Sequence, residues 1–202
     1  MANINKPFGL APQRSIAAPW SQQVTRYYIY SSDTDAYYIG DAVISAAQGD
    51  STGTPGIAKA TGAQTLRGVV IGVEPANQNQ ISLQGTVLDL SVDSVPATKT
   101  RAYYVYVVDD PAVIFSIQGD ATATNQVATN STKNFSLTIA NGATTVSASG
   151  TVLSSSTLNT TNSLNMKAFG LLQTPGNAYG AYAVWLCKIN LHELSAAGTT
   201  AI

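Results

Sequence analysis

Charge is scarce in this 202-residue chain: Lys, Arg, Asp and Glu together make up 10% of it, against about 25% in an ordinary soluble protein. Ten basic residues face eleven acidic ones, the net charge is −1, and no block of like charge occurs. Binding nucleic acid through its phosphates needs clustered cations that displace counterions, so no nucleic-acid partner is expected. Cysteine and histidine each occur once, as Cys187 and His192, which excludes an internal disulfide and a Cys/His zinc set. No apolar run approaches the roughly 20 residues that a membrane helix needs, and no membrane partner is expected. The start, MANINKPFGLAPQRS, lacks the basic region and apolar stretch of a secretory signal. The expectation is a chain made and assembled in a cytoplasm, its surface kept wet by hydroxyl and amide groups or covered by a partner.

Residues 1–22 carry Pro7, Pro12 and Pro19 and the large apolar side chains Phe8, Leu10 and Trp20 without helical or alternating period. They read as an extended N-terminal arm. Burying three such side chains yields about 1.5–3 kcal/mol each, whereas ordering each residue costs about 1–2 kcal/mol. Side-chain anchors alone do not order such an arm, which is expected to be loose until a partner takes up its backbone hydrogen bonds, for instance as an added strand.

From residue 24 onward the pattern is that of strands. VTRYYIY (24–30), YYIGDAVI (37–44), RGVVIGVE (67–74) and YYVYVVD (103–109) are rich in β-branched and aromatic residues and punctuated by Gly, Pro and Asp turns. YYVYVV (103–108) and AVIFSIQ (112–118), joined across Asp109-Asp110-Pro111, predict a central hairpin. In AYAVWLCKINLHEL (181–194) the alternation puts Trp185, Cys187, Ile189 and Leu191 on a core face, with Lys188, Asn190 and His192 on a polar one. The fold class predicted is all-β, an antiparallel sandwich or barrel with a jelly roll among the options. A single β-rich domain is expected over 23–195, with a flexible tail at 196–202.

Residues 121–165 differ in character, since 26 of the 45 are Ser, Thr or Asn. FSLTIA (135–140) and ATTVSA (143–148) flank Asn141-Gly142, a dipeptide suited to the type I′ turn of a hairpin. This segment is expected to be an exposed, hydroxyl-rich hairpin.

Candidates for chemistry are few. Gly49-Asp50-Ser51-Thr52-Gly53 matches G-x-S-x-G, but Thr54-Pro55-Gly56 follows where a nucleophile elbow requires a helix. Ser51 therefore reads as a loop tip, and His192, the one side chain with an ordinary pKa near neutrality, as a surface residue. The paired carboxylates Asp33/Asp35 and Asp109/Asp110 do not extend into the oxygen series of a calcium loop. No glycine-rich phosphate loop is present, so no catalytic residues, metal or cofactor are expected. Ten tyrosines leave open a stacking platform for sugars, although most lie inside strand patterns.

An opening of the type A-N-x-N-K-P-F-G (2–9), then IGDAV (39–43), GVVIGVEP (68–75), YVYVVDDPAVIFSIQ (104–118), FGLLQTPGN (169–177) and WLCKINLHEL (185–194) occur in an order and spacing that resemble the head decoration, or cement, proteins of tailed bacteriophages. The resemblance implies a β-rich virion protein that forms a small homo-oligomer, a dimer or trimer, on the major capsid protein. It would stabilise the shell from its outer surface after assembly in the host cytoplasm. Pro7, Phe8, Leu10 and Trp20 of the arm are then the residues expected to contact the capsid or a sister subunit. The alternative is a head-fibre or tail-associated protein that binds host-surface glycan.

Overall fold

Val, Ile, Tyr and Phe pack best on a pleated, half-buried surface, and the runs rich in them become strands. The computed structural model describes residues 3–17, 19, 21–76, 92–142 and 147–195. Its strands are β1 (Ala11–Ser15), β2 (Thr25–Ile29), β3 (Tyr37–Tyr38), β4 (Ala42–Gly49), β5 (Pro55–Lys59), β6 (Gly68–Pro75), β7 (Ser94–Val95), β8 (Tyr103–Val108), β9 (Val113–Gln118), β10 (Asn134–Phe135), β11 (Leu137–Thr138), β12 (Val152–Leu153), β13 (Met166–Leu171) and β14 (Val184–Ile189). Among the described residues the helical segments are single 3₁₀ turns at Ala128–Asn130 and Ser155–Thr157. The all-β class is as the sequence predicts, and both architectures occur together. Strands β2-β5-β4-β6-β8 close a barrel, while β1-β9-β14-β13-β10 form an open antiparallel sheet. The barrel's seam is the parallel pair Tyr28↔Gly56; its other pairings are antiparallel.

Two apolar cores follow from this division. Tyr27, Ile29, Val43, Ile57, Val70, Val73, Val105 and Val107 fill one, within the barrel. The period-two alternation of β8 sends Val105 and Val107 inward and leaves Tyr104 and Tyr106 half-buried. The second core lies between barrel and sheet, where Leu66, Val69 and Val108 meet Phe115, Ile117, Phe135, Trp185 and Cys187.

The predicted 103–118 hairpin is not formed. Strand β8 pairs with β2 and β6 in the barrel, and β9 with β1 and β14 in the sheet. Asp109-Asp110-Pro111 is therefore the corner where the chain passes from one unit to the other. Asp110 fixes it by accepting the Ala112 N–H on Oδ1 at 2.8 Å and the Val113 N–H on its carbonyl at 3.2 Å.

Nor is the described N-terminal segment a loose arm. Strand β1 pairs with β9 of the same chain, Leu10 donates its N–H to the Gly40 carbonyl at 2.9 Å, and Ile16 donates to Ala112 at 3.0 Å. At the crossing, Gly9 and Gly40 both have positive φ (+70° and +93°), and a Cβ on either would run into the other strand's backbone. Side-chain burial, with Leu10 1% exposed, is therefore joined by backbone hydrogen bonds that the chain itself supplies in place of a partner. Pro12 and a bulge between Pro12 and Arg14 blunt the outer edge of β1 against further strand pairing.

The Ser/Thr/Asn-rich segment is also incorporated into the fold rather than exposed as a hairpin. Strand β10 pairs with β13, and β11 with β12 in the register Leu137↔Leu153. Neither Asn141 nor Gly142 has the positive φ of a type I′ turn, and ATTVSA falls mostly on residues 143–146, outside those described. Phe135, Leu137 and Leu153 enter the core, and several of the buried polar residues around them bond within the fold. Ser149, for example, accepts the Thr151 N–H at 3.1 Å. The predicted tail, 196–202, lies outside the described residues.

Candidate functional site

Of the four residues expected to contact a partner, Leu10 belongs to the chain's own core and cannot face one. Pro7 and Phe8 are half-buried, and Trp20 lies outside the described residues. The segment instead directs two other side chains outward, Ile4 at 79% and Ile16 at 54% exposure. Asn3 and Gln118 secure the end that carries Ile4. Asn3 Nδ2 donates to the carbonyls of Ala178 and Ala181 at 2.8 and 2.9 Å, and Gln118 Nε2 donates to the Ile4 carbonyl at 2.7 Å. No alternation marks Ile4 or Ile16 in the sequence, because both flank β1 rather than lie in it.

His192 is not on the surface. Beyond Ile189 the alternation of β14 ends, and the chain turns so that Asn190 and His192 are both buried, His192 to 3% exposure. A bridge to Leu66 pins it, with Glu193 donating its N–H to the Leu66 carbonyl at 3.0 Å. Nδ1 accepts the Leu194 N–H at 3.0 Å, and Nε2 has no partner. The ring is therefore neutral with its proton on Nε2. Burial pushes the His192 pKa down, against the opposing influence of Asp109, Glu193 and Asp110 and with that of Arg67.

A polar cluster lies near it. The Arg67 guanidinium donates from Nε to Tyr27 Oη at 2.7 Å and spans Asp109 at 3.7 Å and Glu193 at 3.8 Å. Tyr27 Oη donates to Asp109 Oδ2 at 2.7 Å, and burial followed by Asp109 pushes its pKa up to about 12. Ser45 donates its N–H and its hydroxyl to the two Glu193 oxygens. The members come from β2, β4, the approach to β6, the corner after β8 and the turn after β14, so this cluster clamps the C-terminal turn to the barrel.

Ser51 does not join it. Strand β4 runs on from Ser45 to Gly49 before the turn that carries Ser51, which at about 3.3 Å per residue places the serine more than ~13 Å along the strand. That turn is organised by Asp50, whose Oδ1 accepts the N–H groups of Thr52 and Thr54 at 2.9 and 2.8 Å and whose Oδ2 accepts Tyr104 Oη at 2.7 Å. Burial works against ionisation of Asp50, but the donors from Tyr104, Thr54 and Thr52 outweigh it and hold its carboxyl below the usual range. Cys187 is wholly buried, which pushes its thiol pKa up and leaves it a small hydrophobe.

The acidic turn at Asp33/Asp35 does hold a cation, and it is Lys99. Nζ donates to the Asp33 carbonyl at 2.8 Å and the Asp35 carbonyl at 2.6 Å, and pairs with Asp33 Oδ1 at 3.0 Å. Among the described residues no three His, Cys, Asp or Glu side chains converge in a metal-binding group.

Of the eight strand tyrosines, Tyr27, Tyr37, Tyr38 and Tyr103 are buried. Tyr28, Tyr30, Tyr104 and Tyr106 are half-buried on β2, β8 and the end of β2. Tyr28 lies opposite Tyr104, their ring centroids 5.5 Å apart, and the Arg26 guanidinium stacks 3.6 Å over Tyr104. Tyr106 Oη donates to Glu74 at 2.8 Å. No protein-family model, curated protein or solved structure matches this chain.

Proposed function

We propose that this chain is a structural protein of a tailed-phage particle, one that covers the outer face of the capsid shell as a decoration or cement protein. The observation that carries the reading is the outward presentation of Ile4 and Ile16 from a segment already fixed to the fold. A fixed segment has little backbone ordering entropy left to lose on binding. Each isoleucine then contributes about 1.5–3 kcal/mol when a partner covers it. The low charge of the chain suits contact with protein rather than with nucleic acid. Pro7 and Phe8, half-buried between the two isoleucines, extend the contact. The partner on this reading is the major capsid protein. A dimer or trimer engaging several equivalent places gains a further 10²–10⁴ in avidity without new contacts. A double variant, Ile4→Asp with Ile16→Asp, should fold as the natural chain does yet be depleted from purified particles. Wild-type occupancy by that variant would refute the reading.

A second reading, a head-fibre or tail-associated protein that binds host-surface glycan, draws on Tyr28, Tyr30, Tyr104 and Tyr106 around Arg26. It predicts binding of the purified protein to host cells that Tyr28→Ala abolishes.

A further inference from the structure

Lys59, the last residue of β5, is 8% exposed, and Asp41 is fully buried. The Lys59 ammonium donates to the Ala36 carbonyl at 2.8 Å and to Asn141 Oδ1 at 2.8 Å, and pairs with Asp41 Oδ2 at 2.9 Å. Asp41 Oδ2 also accepts the Tyr38 N–H at 2.9 Å, while Oδ1 has no hydrogen-bond partner. The Tyr38 ring stands 5.6 Å from the ammonium. An amine, a carboxamide and a carboxyl group from three separate segments thus meet at one point, with Asn141 the member that reaches solvent. A buried ion pair is a weak contributor to stability compared with apolar residues of the same volume, so stability alone gives little reason for this arrangement.

We propose that Lys59 and Asn141 join in an intramolecular isopeptide bond, with Asp41 as the proton carrier. The Lys59 ammonium first passes a proton to Asp41, leaving a neutral amine beside a neutral acid, which a water-poor site tolerates better than separated charges. The amine then forms the Nζ–Cγ bond while the Asp41 acid steadies the charge that develops on Oδ1. The Cγ–Nδ2 bond breaks, the nitrogen takes up the proton that Asp41 relays from Nζ, and it departs as ammonia. Ammonia carries away the remaining proton as ammonium, which returns Asp41 to its carboxylate. A primary amide and an amine become a secondary amide and ammonia, and no oxidant or cofactor enters.

With a C=O bond of about 1.23 Å, Asn141 Cγ lies within about 4 Å of Nζ. A rotation of the carboxamide brings the pair to the roughly 3–3.5 Å of a near-attack arrangement. Burial pushes the Asp41 carboxyl above its ordinary value, against the pull of Lys59, the Ser149 hydroxyl and the Tyr38 N–H. That favours the protonated form the step uses. The product would tie β5 of the barrel to the loop after β11, across 82 positions of sequence.

Intact-mass measurement of the purified full-length chain, followed by tryptic mapping, tests this directly. The expected result is a chain lighter than its sequence by one ammonia, with a branched peptide that contains both Lys59 and Asn141. Lys59→Arg keeps a cation opposite Asp41 but has no comparable nucleophile, and Asn141→Ala removes the acyl group; each should restore the full sequence mass and abolish the branched peptide. Wild-type protein that keeps its full mass after prolonged incubation at neutral pH would overturn the proposal. So would an ammonia loss that maps to a linear peptide at Asn141-Gly142, the mark of ring closure onto the Gly142 amide. Should neither variant fold, the wild-type peptide map decides alone.

Discussion

Replacing Leu10 by Ala tests whether the N-terminal segment belongs to the fold. Leu10 is 1% exposed and packs in the core between barrel and sheet. Truncating a buried leucine costs about 2–5 kcal/mol, the larger values arising where the cavity cannot collapse. Here β1, the Gly9–Gly40 crossing and the Leu10 N–H bond to Gly40 hold the backbone in place, so the loss should fall in the upper half of that range. In a chain of this size each kcal/mol moves Tm by roughly 2–4 °C, which puts the expected fall at about 7–20 °C. Ile4→Ala, at a site 79% exposed, serves as the control and should stay within about 0.5 kcal/mol. Urea unfolding followed by tryptophan fluorescence reads the difference, because Trp185 is buried with its Nε1 bonded to Gln126 at 3.2 Å. A Leu10→Ala protein indistinguishable from the Ile4→Ala control would show that the segment is loose and that the docking argument fails.

Two further outcomes follow from the geometry. The folded state holds His192 neutral, with its pKa below the ordinary 6.5, so the unfolded chain binds the extra proton and stability falls as pH drops below 6.5. The contribution is complete above that value; urea midpoints should decline on acidification in the natural chain and less steeply in His192→Gln, and parallel profiles would refute it. Gly40→Ala and Gly53→Ala both place a side chain at positive φ (+93° and +94°), but only at Gly40 does the new Cβ meet backbone, the Phe8 carbonyl. Gly53→Ala should cost about 1 kcal/mol and Gly40→Ala clearly more in the same urea assay; equal losses would contradict the close crossing.

What was legible in the sequence was local. The β-branched and aromatic run at 103–108 identifies β8, because such residues pack well on a pleated surface. Pairing was not legible: two apolar strands with a short turn between them read as a hairpin, yet the partners of β8 and β9 are remote in sequence and leave neither free for the other. The pairing of the N-terminal segment is illegible for a related reason, since β9 lies about a hundred residues downstream of the strand it orders. His192 follows alternation only as far as Ile189, after which a turn buries it. The Lys59, Asp41 and Asn141 constellation gives no sequence signal, because its three members occupy different elements and nothing in their local surroundings marks a shared point.

The claim at the centre is that this chain works by covering other protein. Quantitative mass spectrometry of purified particles measures that directly, as the ratio of this chain to the major shell protein. The account predicts copies in numbers comparable with the shell protein itself. Particles that lack the chain, or carry it only in the few copies of a tail or fibre component, would contradict the account.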